Sequence, residues 1–331
     1  MRHKHLLIIC LLWLGIAMSF DTGMATIGGD CDACHNLFPG MMDKTHTGKA
    51  FQYVLKNEFC VHCHSNANSD TIKSLGGNRV PVVHNTVNPI YPLGGGNFQY
   101  VAKDFGDRKG HNVDGITSVD KKFRGFPPGY KRASDPSFIG YDPGRPLMCA
   151  GSNGCHGDRD IEDPFASIMK THHALDKPID GSSSAKSYRF LGNAGGVKGV
   201  VGFEDKDWNQ HGSSKSHNEY SPSIDILCKS CHGDFHSEGK GENDHWFSHP
   251  TGIPIPVLGE YQKYKVFDPD APVAREHPIM SSPVINHGRD KVTCLSCHIA
   301  HAGPYDSLLR WDYEGLLTEQ KKGCMICHSE K

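Results

Sequence analysis

Apolar positions in this 331-residue chain fall into one early block and a few short stripes, with long polar, turn-rich stretches between them. The block runs from Leu6 to Met18, behind Arg2 and Lys4 and ahead of Gly23-Met24-Ala25. That three-part pattern predicts an export signal over residues 1–25, cut after Ala25. At about 13 residues the block is shorter than the roughly 20 that cross a bilayer. Cys10 lies inside it and leaves with it. Helical periodicity then appears in three places. Residues 43–58 and the residue after them set Phe51, Val54, Leu55 and Phe59 on one stripe behind Asp43 as N-cap. From Asp163, Pro164 takes the first helical position and Phe165, Ile168, Met169 and His172 share a face. A third helix is predicted from Ser307 to Gln320. Nowhere does strict alternation predict a strand. The expected fold is mostly irregular and loop-rich, with a few short α-helices.

Composition sharpens this picture, because only 37% of the residues are hydrophobic and 9% aromatic, lean for a chain of this length. Thirteen cysteines and twenty-two histidines are the excess. Both side chains bind metals or metal cofactors, so prosthetic groups are expected as core material. Gly at 37 and Pro at 20 predict many turns but stay below the share that signals disorder. The formal net charge of −2 offers no basic footprint for nucleic acid.

Five segments repeat one pattern. They are Cys31, Cys34 and His35; Cys60, Cys63 and His64; Cys228, Cys231 and His232; Cys294, Cys297 and His298; and Cys324, Cys327 and His328. Each reads C-x-x-C-H, the c-type haem attachment motif. Two thiols form thioethers to the haem, and the histidine that follows takes the proximal iron position. Zinc ribbons, thioredoxin-like pairs and disulfides also use C-x-x-C, but none requires histidine after the second cysteine, and here it follows five times out of five. A sixth pair, Cys149 and Cys155, has five residues between its cysteines and is also followed by histidine, His156. A disulfide is the alternative there, since an exported chain meets oxidising conditions. Against it, Gly151 and Gly154 would let the longer loop fold outward while the thiols keep haem spacing. Six haem c groups are therefore expected, the sixth at this departing motif.

The motifs come in pairs, which divides the chain after the signal into a first haem-pair module over 26–66, a Gly/Pro/aromatic-rich connecting segment over 67–148, a central haem-pair region over 149–250 and a C-terminal module over 251–331. The connecting segment holds Gly94 to Gly96 and Pro127-Pro128, and a second Gly/Ser-rich tract covers 181–202. Tyr91, Phe98, Tyr100, Phe126, Tyr130 and Tyr188 recur in these tracts and point to packing over haem faces more than to linkers.

The stretch CLSCHIAHAGPYDSLLRW…GCMICH, residues 294–328, resembles the doubled-CxxCH module of multihaem cytochromes. CDACHNLFPGM, GHNV, CAGSNGCHG and CHGDFH are similar to segments of multihaem cytochromes from metal-reducing and related bacteria. The resemblance covers most of the chain beyond the signal. It implies little regular secondary structure, haems packed in a close chain, and electron transfer in the periplasm or at the outer cell surface during anaerobic respiration. Other redox proteins would be the electron donors and acceptors.

Each iron also needs a second axial ligand or an open site, and that choice separates a carrier from an enzyme. Fourteen histidines remain beyond the motifs and the signal, more than six irons require. His301 fits the C-H-x-x-H form of the doubled module and is expected to serve the C-terminal pair, with His287 next. His46, His111, His172, His217, His236 and His249 complete the set. Bis-His, low-spin haems at low potential follow, and the chain reads as an electron carrier rather than an enzyme. Two other readings remain open. One is a nitrite- or hydroxylamine-type oxidoreductase with one open haem, whose relatives often carry C-x-x-C-K, absent here. The other is a subunit of an extracellular cytochrome filament.

Overall fold

The computed structural model describes residues 29–35, 59–67, 71–90, 92–102, 106–123, 125–130, 142–172, 189–191, 200–203, 219–220, 224–233, 249–268, 270–275, 284–315 and 322–330. The predicted signal and the stripe over 43–58 lie outside these residues apart from Phe59.

Short elements dominate. The helices are α1 (Cys60–His64), α2 (Gln99–Ala102), α3 (Pro164–His172), α4 (Ile224–Lys229) and α5 (Cys294–Cys297). The strands are β1 (Ser65–Asn66), β2 (Ile72–Leu75), β3 (Asn78–Pro81), β4 (His84–Asn85), β5 (Met148–Ala150), β6 (Gly154–His156), β7 (Arg189–Leu191), β8 (Val200–Phe203), β9 (Glu219–Tyr220), β10 (Ile253–Pro254) and β11 (Lys291–Val292). They pair as small ribbons: β1 with β4 and β5 with β6 in parallel, β2 with β3 and β10 with β11 antiparallel, and β7-β8-β9 as a three-stranded antiparallel sheet. The loop-rich class expected from the sequence is what forms.

Helix α3 starts where its sequence says it should. The Asp163 carboxylate accepts from the Ala166 amide at 2.7 Å, satisfying a donor of the first turn. The hairpin β2-β3 was not expected. Its signal is Gly76-Gly77, with φ of +57° and +80°, a mirror-image two-residue turn that matches strand twist; the flanking IKSL and NRVP lack alternating hydrophobicity.

The helix predicted from Ser307 is a correction. Among the described residues this stretch opens with a 3-10 turn, Asp306–Leu308, in which Ser307 and Leu308 have φ of +59° and +56°. Tertiary pairing takes the backbone groups that a helix would need. Ile299 donates to the Leu308 carbonyl at 2.7 Å, and Arg310 donates to that of Cys297 at 3.0 Å. Pairing with the residues after the fifth motif thus outcompetes a locally plausible helix.

Among the described residues the apolar interior is split into three clusters, each beside attachment cysteines. Phe98, Val101, Val113 and Ala302 pack with Cys149 nearby. Ile224, Ala274 and Leu295 join α4 to α5, which carry Cys228, Cys294 and Cys297. Ile255, Tyr264, Phe267, Val273 and Ile285 pack with Cys327.

Residues 300–303 stitch distant segments together. The Ala302 carbonyl accepts from Asn97 at 2.9 Å, His301 donates its amide to Gly95 at 2.8 Å, and Gly303 donates to Lys109 at 2.9 Å. At Gly96, with φ of +84°, a Cβ would run into the Ala302 carbonyl oxygen, so glycine is required. Residues 95–97 and 109–111 are therefore docked on residues 300–303.

One buried ion pair anchors the C-terminal region. Asp290, fully buried, accepts from Arg275 Nε at 2.7 Å and Nη2 at 2.6 Å and from the Asn286 amide at 2.7 Å. Asp290→Ala should destabilise the protein by about 3 kcal/mol or more, because Arg275 is left buried without its carboxylate. Denaturant titration checks this, and a loss under about 1 kcal/mol would show that water replaces the pair.

Candidate haem sites

In three of the motifs with described backbone, one helical turn sets the histidine. His232 donates its amide to Cys228, His298 to Cys294 and His328 to Cys324, each at 2.9 Å. The cysteine three residues into each turn and the histidine at its end thereby project from one compact loop. For α5, Thr293 at the N-cap donates its amide to Ser296 Oγ at 3.0 Å. Cys149 and Cys155 are built differently. They sit on β5 and β6, with the inserted loop folded out through Gly151 at φ of +90°. Buried Asn153 holds that loop by donating to the carbonyls of Asp142, Arg145 and Pro146 at 2.9–3.1 Å.

All eleven described cysteines are free thiols, so no disulfide joins Cys149 to Cys155. At the described junctions, thiols of adjacent motifs instead meet one another. Cys63 is within hydrogen-bond reach of Cys34, Cys60 of Cys149, and Cys294 of Cys228. Cys155 lies beside Cys231, and Cys297 beside Cys324 and Cys327. The two cysteines of a motif therefore face opposite neighbours, and the six motifs follow one another in sequence order. Burial pushes the thiols of Cys297 and Cys327 up to about 12, which keeps them protonated near pH 7.

Polar side chains fasten these junctions. Arg159, buried, donates to Ser230 Oγ at 3.0 Å and joins the third motif to the fourth. Asp225, also buried, accepts from the Cys294 amide at 2.8 Å and joins the fourth to the fifth. The Asp30 amide bonds the Gly76 carbonyl at 2.6 Å and docks the first motif on the hairpin turn before the second motif's partner strand.

The imidazoles are aligned by their Nδ1 atoms. His64 donates to the Pro81 carbonyl at 2.9 Å, His232 to Pro128 at 2.7 Å, His298 to Ser307 at 2.8 Å, His111 to Ala300 at 2.8 Å and His249 to Pro250 at 2.9 Å. A carbonyl can only accept, so the proton is on Nδ1 and the lone pair on Nε2, the arrangement a metal-binding histidine needs. Burial lowers His64, His232 and His298, and takes His111 down to about 4, so these rings are neutral near pH 7.

Three pairs of rings then stand opposite each other. The centroid separations are 6.2 Å for His156 and His301, 6.1 Å for His111 and His232, and 6.1 Å for His249 and His328. Two imidazoles on opposite sides of one metal, with bonds of about 2 Å, put their centroids roughly 6 Å apart. Each pair joins one motif histidine to one outside the motifs. The residues thus fit c-type haem, both in their thiols and in their axial spacing. Among the described residues no three His, Cys, Asp or Glu side chains converge as a cage for a single metal ion, so the zinc alternative gains nothing.

His301 faces the third motif, not the C-terminal pair that the C-H-x-x-H spacing suggested. Phe98 stacks on it at 4.8 Å, placing one aromatic of the connecting segment against a site ring. His287 differs from the others, since it bonds the Tyr261 carbonyl through Nε2 at 2.8 Å, the nitrogen the others reserve. His46, His217 and His236 lie outside the described residues, and His172 ends α3. His84, passed over in the sequence, is half-buried on β4 opposite Ser65, directly after the second motif. Its only sequence signal is being a histidine near a motif.

Known proteins are similar to this chain. The model of the doubled CXXCH motif matches residues 287–331. The C-type cytochrome OmcS of Geobacter sulfurreducens is 22% identical, with 89% of this chain and 81% of that protein aligned. Two solved structures are also similar: the Outer Membrane Cytochrome S filament of Geobacter sulfurreducens (18% identity, TM-score 0.47, covering 87% of this chain and 85% of that one) and the OmcS nanowires of the same organism (18%, 0.47, covering 86% and 84%). The C-terminal end thus carries a doubled CXXCH motif, and over most of its length the chain is similar to a C-type cytochrome of a Geobacter species.

Proposed function

We propose that this cytochrome is an exported six-haem electron carrier whose attachment sites form one file in sequence order. Haem c supplies a one-electron iron couple when bound. The chain's own residues fix the rest. Cys31 and Cys34, Cys60 and Cys63, Cys149 and Cys155, Cys228 and Cys231, Cys294 and Cys297, and Cys324 and Cys327 hold the six groups. His35, His64, His156, His232, His298 and His328 are proximal. The facing rings carry the reading: His301 is the distal ligand opposite His156, His111 opposite His232, and His249 opposite His328. His46, His172, His217 and His236 are left for the other motifs, with His84 added and His287 omitted. Ring tautomers are held by carbonyls, and small buried apolar clusters lie beside Cys149 and Cys327.

The three pairs favour a carrier over an enzyme, since at each of them a second imidazole would take the position where a substrate would bind. Other redox proteins would exchange electrons with it in the periplasm or outside the cell. Self-association is the second reading, favoured by the filament and nanowire states of the relative's solved structures. Electron microscopy of the purified protein separates the two.

The intact mass of the secreted protein should equal the chain after Ala25 plus six haems. Five haems, or a Cys149–Cys155 disulfide in a peptide map, would remove the sixth site. A double-variant series tests the ligand assignment. His301→Ala should turn about one sixth of the low-spin signal high-spin or ligand-exchangeable in optical and paramagnetic-resonance spectra. In a Cys149→Ser/Cys155→Ser background, with one haem fewer, adding His301→Ala should change nothing further. If it still creates a new high-spin iron, His301 serves another haem.

A further inference from the structure

His328 differs from the other aligned imidazoles in what its Nδ1 proton meets. His64, His232, His298, His111 and His249 all give that proton to a neutral backbone carbonyl. His328 gives it to a carboxylate oxygen, Glu260 Oε1, at 3.1 Å. Both side chains are largely buried, with 19% and 13% of their areas exposed, so solvent screens the contact weakly. The carboxylate is itself held, because Oε2 accepts from the Glu330 amide at 3.0 Å, while the Ser329 hydroxyl donates to the Glu260 backbone carbonyl at 3.5 Å. Tyr261 stands edge-on to the His328 ring at 5.4 Å and holds its plane. His249 faces the ring from the other side at 6.1 Å.

A carboxylate behind a metal-bound imidazole raises its basicity, and second-sphere hydrogen bonding is one of the levers by which a protein sets a haem potential. A more basic ligand favours the oxidised, more positive iron. We infer that Glu260 is a positioning residue that holds the haem of Cys324 and Cys327 at a lower reduction potential than a carbonyl partner would, making that end of the file the stronger electron donor. Reduction at this site takes one electron from a redox partner and leaves the Nδ1 proton in place, so the tuning needs no proton exchange. The inference rests on the proposal that the last motif carries haem with His328 beneath it.

Glu260→Gln is the decisive variant. The amide oxygen can still accept from His328 while the charge is gone, and the exposed Glu330 amide can turn to water. In a spectroelectrochemical titration of the haem-loaded protein, about one sixth of the absorbance change should shift roughly tenfold toward the reduced form, which is about 59 mV for one electron. Glu330→Gln removes a nearby charge, paired with Lys263 at 2.8 Å, and should leave that component in place. Glu260→Asp keeps a carboxylate and should return the potential toward that of the parent. An unmoved titration in Glu260→Gln, or an equal shift in Glu330→Gln, overturns the inference. Should Glu260→Gln lose a haem, Glu260→Asp decides, since a parent-like potential supports the carboxylate and a shift as large as that of charge removal refutes it. Cys324→Ser/Cys327→Ser separates the two levels. An unchanged haem mass there would defeat the proposal for the last motif, whereas a loss of one haem with no shift in Glu260→Gln defeats only the role of Glu260.

Discussion

The passage of residues 300–303 between two glycine-bearing segments is the constraint on which the site geometry depends. Ala302 is fully buried, and Gly96 and Gly110 lie so close to it that neither tolerates a Cβ. Its neighbour His301 is aimed at His156, and the Ala300 carbonyl fixes the His111 ring that faces His232. One backbone crossing therefore positions rings at two different motifs. Enlarging either glycine would move both pairs, and the small residues there serve close approach more than turn formation.

Little regular structure is needed around such a crossing. The three apolar clusters are small, and each borders attachment cysteines, so the interior is shared between side chains and the groups those cysteines hold. Junctions between motifs are fastened by buried polar contacts from Arg159 and Asp225, whose burial is tolerable because each is hydrogen-bonded across the junction. A succession of short loops, each pinned to the next, replaces a common core. The same logic explains why carbonyls serve as ring acceptors so often: irregular backbone leaves them available, whereas sheets and long helices would consume them.

What the sequence discloses follows from how local each interaction is. The attachment motifs are legible because both thiols and the proximal histidine come from one turn of chain. The N-cap of α3 is legible for the same reason, Asp163 reaching only as far as Ala166. The distal rings are not, since the contact that orients His111 joins it to Ala300 across 189 positions. His301 is a second case: its spacing from His298 points to the C-terminal pair, and its ring lies 6.2 Å from that of His156. The stretch from Ser307 fails as a helix because its carbonyls and amides pair with residues 297–299, and no periodicity announces that. Glu260 escapes sequence reading altogether, since nothing near it resembles a motif and its partner His328 lies 68 positions on.

The central claim, that motif histidines and distant histidines share irons along a file in sequence order, is tested most directly by a crystal structure of the haem-loaded protein with irons located by anomalous scattering. The account predicts one iron between His156 and His301, one between His111 and His232 and one between His249 and His328, with the six irons following the order of their motifs. An iron whose distal ligand is His287, or a file in which consecutive motifs are not neighbours, would contradict it.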